Sequence, residues 1–275
     1  MKNLNLKLLF AFFIANAHFV SAQIIDGNGY MFTEFINLAI DSARGKEIAD
    51  VVDEFHWRSG DARYPNGFVS DLDTTSWDSL LIYGDYYAAG NPENGFGFEI
   101  NGRSYNNNFN SYDTLIGVRA PMEYEDEGNC LNVYWKGAVA GVDVDIDYQV
   151  KKDAHFYITT VKLINRTDED ILDLYYFRNT DPDNNAGLTW NYRTTNTIVS
   201  QPDSACQKAL VSATQELPFP SYIGFAAIGN KFRVSTGGFW NRIPSDIWNG
   251  TDDYYTTEGA VRVNRDEAIS IAYKT

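Results

Sequence analysis

The stretch VDVDIDYQVKKDAHFYITTVKLINRTDEDILDLYYF, residues 142–177, decides the fold. Apolar and acidic residues alternate strictly over 142–148, which predicts a strand with one buried face and one solvated face. Polar turns at 151–153 and 165–170 separate this strand from two further apolar segments. The stretch therefore predicts a three-stranded antiparallel meander, whose apolar face must pack against a second sheet.

The rest of the chain repeats this pattern of short segments, rich in aromatic and β-branched residues and bounded by turn signals. Residues 41–53 are the one helix candidate, and Arg44-Gly45 weakens it. We predict an all-β fold, a large antiparallel β-sandwich similar to a supersandwich, with at most one short helix. It should form a single domain over residues 23–275. Because a strand begins at Ala268 and stops at the last residue, we expect further domains of a longer polypeptide after it.

The N-terminus has the pattern of a secretory signal peptide over residues 1–22. A positively charged N-terminal region containing Lys2 and Lys7 precedes an apolar run. Small residues follow, and cleavage is expected before Gln23. The run is about half of the roughly 20 apolar residues that a membrane helix needs. We expect a secreted or cell-surface bacterial protein with no membrane span in the mature chain.

The chain is acidic, with a formal net charge of −15. It has no basic stripe that could release counterions from phosphates, which argues against nucleic acid as a partner. Cys130 and Cys206 are its two cysteines. An oxidising compartment favours a disulfide between them, with two buried thiols as the alternative.

The sequence Asp181-Pro182-Asp183-Asn184-Asn185 offers several oxygen ligands in a short span. Ca²⁺ prefers such hard oxygens, and Pro182 keeps the preceding residue out of a helix. The spacing differs from an EF-hand loop, and a polar turn that caps its own backbone explains the same residues. We therefore predict a polar turn, with an optional calcium site at Asp181, Asp183, Asn184 and Asn185 as the functional alternative.

Catalytic motifs are absent from the sequence. Asp143, Asp145 and Asp147 lie about 7 Å apart along one strand face, a separation compatible with an inverting glycosidase, but we interpret them as a solvated strand face. Outside the signal peptide the histidines are His56 and His155, and no nucleophile elbow accompanies them. We assign no catalytic residue, and keep a carbohydrate-active enzyme with paired carboxylates as the alternative function.

Aromatic residues beside Asn, Asp and Arg in turn-rich sequence suit the apolar faces and hydroxyl edges of sugars. The same residues could instead close the ends of a sandwich core. The candidate ligand-binding residues are Tyr86, Tyr87, Trp190, Tyr192, Trp240 and Trp248.

Through residues 84–87, 90–97 and 178–185, together with the predicted meander, the chain resembles exported β-sandwich modules at the start of large cell-surface proteins of Bacteroidetes-type bacteria. It is also similar to the two-sheet fold of sugar mutarotases and polysaccharide-processing enzymes, although their catalytic histidine and glutamate pattern has no counterpart. The resemblance implies a surface-displayed, adhesin-like module that binds a glycan or another cell-surface ligand. A structural module of an extracellular assembly is a further alternative.

Overall fold

The computed structural model describes residues 20–50, 66–70, 85–87, 93–108, 115–184, 186–203, 206–217, 220–238 and 242–275. Several predictions lie outside these ranges: most of the signal peptide, His56, Asn185 and Trp240. The expected cleavage site before Gln23 falls within the first strand, in which Ala22 is buried.

The described residues form eighteen strands and two short helices. Every pairing between named strands is antiparallel, which confirms the predicted all-β fold. The elements are β1 (Ser21–Ile25), β2 (Asn28–Phe32), β3 (Ile36–Ile40), β4 (Phe68–Ser70), β5 (Asn94–Ile100), β6 (Arg103–Asn106), β7 (Gly117–Glu127), β8 (Cys130–Val139), β9 (Val142–Lys151), β10 (Tyr157–Asn165), β11 (Leu174–Thr180), α1 (Ala186–Thr189), β12 (Thr194–Ser200), β13 (Lys208–Gln215), β14 (Ser221–Ile228), β15 (Phe232–Gly237), α2 (Pro244–Asn249), β16 (Tyr254–Tyr255), β17 (Val261–Arg265) and β18 (Ile269–Lys274). None of the helices in these ranges is long and apolar enough to cross a membrane.

The strands form four sheets. The first sheet has the order β1-β2-β3-β4, the second β10-β9-β8-β7, the third β16-β15-β18-β11-β5-β6, and the fourth β14-β13-β12-β17. The first sheet packs on the second and the fourth on the third. One hydrophobic core cluster contains residues from all four sheets, for example Met31, Trp135, Phe96 and Val211. The rings of Phe96 and Trp135 meet edge to face at 5.6 Å, which joins the second and third sheets.

The predicted meander is correct for its first two strands and wrong for the third. β9 and β10 pair continuously, with Val142 opposite Asn165 at one end and Val150 opposite Tyr157 at the other. β11 leaves this sheet and lies between β5 and β18 in the third sheet. All seven of its residues are buried, because a central strand between two packed layers has no solvated face.

The helix candidate is also wrong over its described part, residues 41–50, which form turns and an isolated bridge at Ala49. The side chain of Asp41 accepts a hydrogen bond from the Ala43 amide at 2.7 Å, a local bond that competes with a helix. Gly45 follows at φ +64°, a left-handed conformation that ends any helical run.

The predicted disulfide is wrong, because Cys130 and Cys206 are both free thiols. Cys130 begins β8 in the second sheet, and Cys206 is exposed in the connection between β12 and β13 in the fourth. A disulfide needs two α-carbons within about 7 Å with converging side chains. The two cysteines lie in different parts of the fold because of the tertiary topology, which cannot be predicted from the spacing of cysteines in the sequence.

Candidate functional site

Cationic side chains compensate part of the acidic ladder of β9. Arg119 forms ion pairs with Asp145 and with Asp143, the latter at 3.7 Å, and Arg166 Nε donates to Asp143 Oδ2 at 2.8 Å. Burial, with repulsion from Glu125, raises the pKa of the remaining member, Asp147. Two of the three carboxylates therefore already have cationic partners, although Asp143 is buried and Asp145 and Asp147 are only half-buried, not fully solvated as predicted.

The predicted aromatic ligands occupy separate parts of the fold. Tyr86 and Tyr87 are buried in the main core cluster. Trp248 is half-buried and packs against the small core cluster around Phe177, while Trp190 is exposed directly after α1. Among the candidate aromatic residues in the described ranges, Trp190 therefore has the most accessible ring, at 70% exposure.

A cleft of about 330 Å³ opens between the edge strands β10 and β14, which belong to the second and fourth sheets. Residues 222–227 of β14 line one side, and Phe156 and Tyr157 belong to the other. Phe156 and Tyr222 are 53% and 57% exposed, so they flank the opening. Tyr87 is buried and lies at the base.

A buried polar network lies at the base of this cleft. Arg178 forms an ion pair with Glu47 and donates to the Tyr176 hydroxyl at 3.1 Å. The hydroxyls of Tyr87 and Tyr157 are 2.8 Å apart, and Tyr157 also donates to Glu47 Oε1 at 3.1 Å. The side chains are therefore held in place before any ligand arrives.

The electrostatics of this network keep its groups in fixed protonation states. Burial raises the pKa of Tyr87 and of Tyr157 well above the ordinary value, so both are neutral hydroxyls. Burial opposes the charge of Arg178, but attraction to Glu47 outweighs it, and the pKa of Arg178 lies above its ordinary value. The base of the cleft thus combines the Arg178–Glu47 ion pair with neutral hydroxyl groups.

A larger cavity of about 710 Å³ continues beside the cleft and shares Thr159 and Phe232 with it. Its walls are mostly apolar and include Val161, Leu163 and Leu172. The cleft and the cavity together follow the free edge of β10.

A second candidate site is a carboxylate cluster at the end of β11. Asp181 and Asp183, both predicted as metal ligands, meet Asp266 from the connection between β17 and β18. One ligand oxygen from each lies within 4.8 Å of the other two. The neighbouring Asn184 is buried, and its Nδ2 donates to the Ala213 carbonyl at 3.1 Å.

Burial and mutual repulsion raise the pKa values in this cluster. Burial, with the nearby charge of Asp266, raises the pKa of Asp183 to about 8. Burial and the charges of Asp183 and Asp266 raise the pKa of Asp181. Burial also raises the pKa of Asp266, although Arg193 acts in the opposite direction. Such a set of hard oxygens is the kind that divalent cations use.

The sequence suggested Tyr87 as a candidate ligand-binding residue and Asp181, Asp183 and Asn184 as candidate metal ligands, but it did not indicate the walls of the cleft or Asp266. No local motif marks an edge strand or a distant carboxylate, so these residues become visible only in the tertiary structure. Neither models of known protein families nor curated protein sequences gave a match with the chain. Its function must therefore be inferred from the site geometry.

Proposed function

We propose that the protein is an exported, surface-displayed recognition module that binds a glycan in the cleft between β10 and β14. The observation that carries this proposal is the cleft itself, with two exposed rings, Phe156 and Tyr222, at its opening and Arg178 at its base. Its volume of about 330 Å³ is within the range of small-ligand sites.

The chemistry of the lining suits a sugar residue. A pyranose ring has apolar C–H faces, which pack on flat aromatic rings, and hydroxyl edges, which need hydrogen-bond partners. Phe156, Tyr222 and Phe225 supply aromatic surface, while Arg178 and the hydroxyls of Tyr87 and Tyr157 supply polar groups. Because Glu47 already holds Arg178, little side-chain entropy would be lost on binding.

The N-terminus supports export of the protein, and the net charge supports a neutral ligand. A signal-peptide pattern over residues 1–22 supports export. The formal net charge of −15 disfavours anionic polysaccharides and favours neutral glycans as ligands.

Retention on a broad glycan array tests the proposal. We expect saturable binding by the wild-type protein, and a loss of about fivefold or more in affinity for the double variant Phe156→Ala/Tyr222→Ala, since each aromatic contact contributes about 0.5–1.5 kcal/mol. Tyr124→Ala is the matched control, because Tyr124 is an exposed ring on β7, at the opposite edge of the second sheet.

Three results would count against the proposal. They are no retention of any glycan by the wild type, equal retention by the wild type and the double variant, and an equal loss in the Tyr124→Ala control. Circular dichroism of each variant shows whether the fold is retained. Phe156→Leu/Tyr222→Leu is a second variant that keeps the apolar volume but removes the flat rings.

A further inference from the structure

The carboxylate cluster lies outside the proposed glycan cleft. It joins two segments that are distant in the chain, the turn after β11 and the connection between β17 and β18. We propose that Asp181, Asp183 and Asp266 form a binding site for a divalent cation, and that this cation is Ca²⁺. The inference rests on the cluster alone and does not depend on glycan binding.

The spacing of the carboxylates fits a shared ion. Oxygens that bind one Ca²⁺ at 2.3–2.6 Å lie within about 5 Å of each other. Ligand oxygens of Asp181, Asp183 and Asp266 lie within 4.8 Å of one another. A cation would also replace the mutual repulsion of these carboxylates with attraction.

Unpartnered oxygens at the cluster are the second, independent observation. Asp181, Asp183 and Asn184 are only 4%, 2% and 4% exposed, and the Oδ1 atom of each has no hydrogen-bond partner within the described structure. Buried polar atoms are rarely left without a partner, because desolvation then costs about 1–3 kcal/mol per group. Within the described ranges, neither Asp181 nor Asp183 has an ion pair with Lys or Arg.

The backbone holds these oxygens in place. The Asp181 amide donates to the Glu93 carbonyl at 2.9 Å, and the Asp183 amide donates to the Asp181 carbonyl at 3.0 Å. The neighbouring Asn184 uses Nδ2 on the Ala213 carbonyl, while its buried Oδ1 has no hydrogen-bond partner within the described structure. The turn is therefore organised before an ion binds, and the ion would fasten it to Asp266.

The donor set favours Ca²⁺ over other ions. Its members offer only carboxylate and amide oxygens, whereas zinc and copper sites use His or Cys. Ca²⁺ accepts 6–8 oxygens in flexible geometry, so water can complete the shell on the side of Asp266, which is exposed.

Calorimetric titration of the purified, chelator-treated protein with CaCl₂ tests the site. We expect saturable one-site binding, with affinity reduced by about tenfold or more in Asp183→Asn and in Asp266→Asn. Asp145→Asn is the matched control, because it removes an acid from the β9 face and should leave the affinity unchanged.

Thermal unfolding gives a readout that separates loss of the ion from loss of the fold. We expect Ca²⁺ to raise the Tm of the wild type, and Asp183→Asn to fold without responding to Ca²⁺. The exposed Asp266 provides the second variant if Asp183→Asn fails to fold. No Ca²⁺ binding by the wild type, unchanged affinity in Asp266→Asn, or tighter binding of Mg²⁺ than of Ca²⁺ would overturn the assignment.

Discussion

Arg178 and Glu47 form the ion pair at the base of the proposed cleft, and both side chains are almost fully buried. Removing one charge of such a pair leaves the other without compensation, which costs about 3–5 kcal/mol. We therefore expect Glu47→Leu to lower the free energy of unfolding by about this amount, as measured by urea denaturation. The double variant Glu47→Leu/Arg178→Met should recover most of the lost stability. A loss in the double variant equal to the sum of the losses in Glu47→Leu and Arg178→Met would contradict this explanation.

Lys46, the neighbour of Glu47, predicts a pH dependence of stability. Burial, with repulsion from Arg44, lowers the pKa of Lys46 to about 8 from its ordinary value of 10.5. Between these pH values the unfolded chain binds the proton and the folded chain does not, so stability should rise with pH by up to about 1 kcal/mol per pH unit. Urea denaturation between pH 7.5 and 10 measures this slope. Lys46→Met should flatten it, and an unchanged slope in this variant would contradict the assignment.

The turn between β3 and the bridge at Ala49 determines where Lys46 and Glu47 lie, and Gly45 is its critical element. A Cβ at Gly45 would lie 2.3 Å from the Trp135 ring. The Gly45 carbonyl accepts a hydrogen bond from the Tyr148 hydroxyl, and Trp135 Nε1 donates to the Ser42 carbonyl at 3.0 Å. The turn is thus packed directly on the second sheet.

We expect Gly45→Ala to destabilise the protein by about 2–4 kcal/mol, because overpacking adds to the cost of a left-handed backbone. Gly102→Ala is the matched control. Gly102 has a similar φ of +76°, but a Cβ added there would meet no described atom within 4 Å, so only the backbone cost of about 1–2 kcal/mol applies. Equal losses in the two variants, measured by urea denaturation, would show that the Trp135 contact is unimportant.

Sequence periodicity predicted some elements and not others, for a physical reason. Alternation in β9 indicates a strand with one apolar and one polar face, and the structure has this strand paired with β10 as predicted. β11 is buried on both faces, so its sequence LYYFRNT carries no alternation that could identify its sheet. The helix candidate failed for a local reason, since Asp41 caps the Ala43 amide and Gly45 adopts a left-handed conformation.

At the scale of the whole molecule, the sites form where segments distant in the chain meet. Asp181, Asp183 and Asn184 could be proposed as ligands from the sequence because they are adjacent in one turn, whereas Asp266 reaches Asp181 and Asp183 only through the tertiary fold. The cleft likewise requires the edges of two sheets, and the sequence does not show which strands lie at an edge. The failed disulfide has the same origin, since Cys130 lies in β8 of the second sheet and Cys206 in a connection of the fourth.

The most direct test of glycan recognition is a crystal structure of the protein with a saccharide that the array retains. We expect a sugar ring between Phe156 and Tyr222, with its hydroxyls directed toward the base of the cleft. A saccharide bound elsewhere, for example against the exposed ring of Trp190, with the cleft free of ligand, would contradict it.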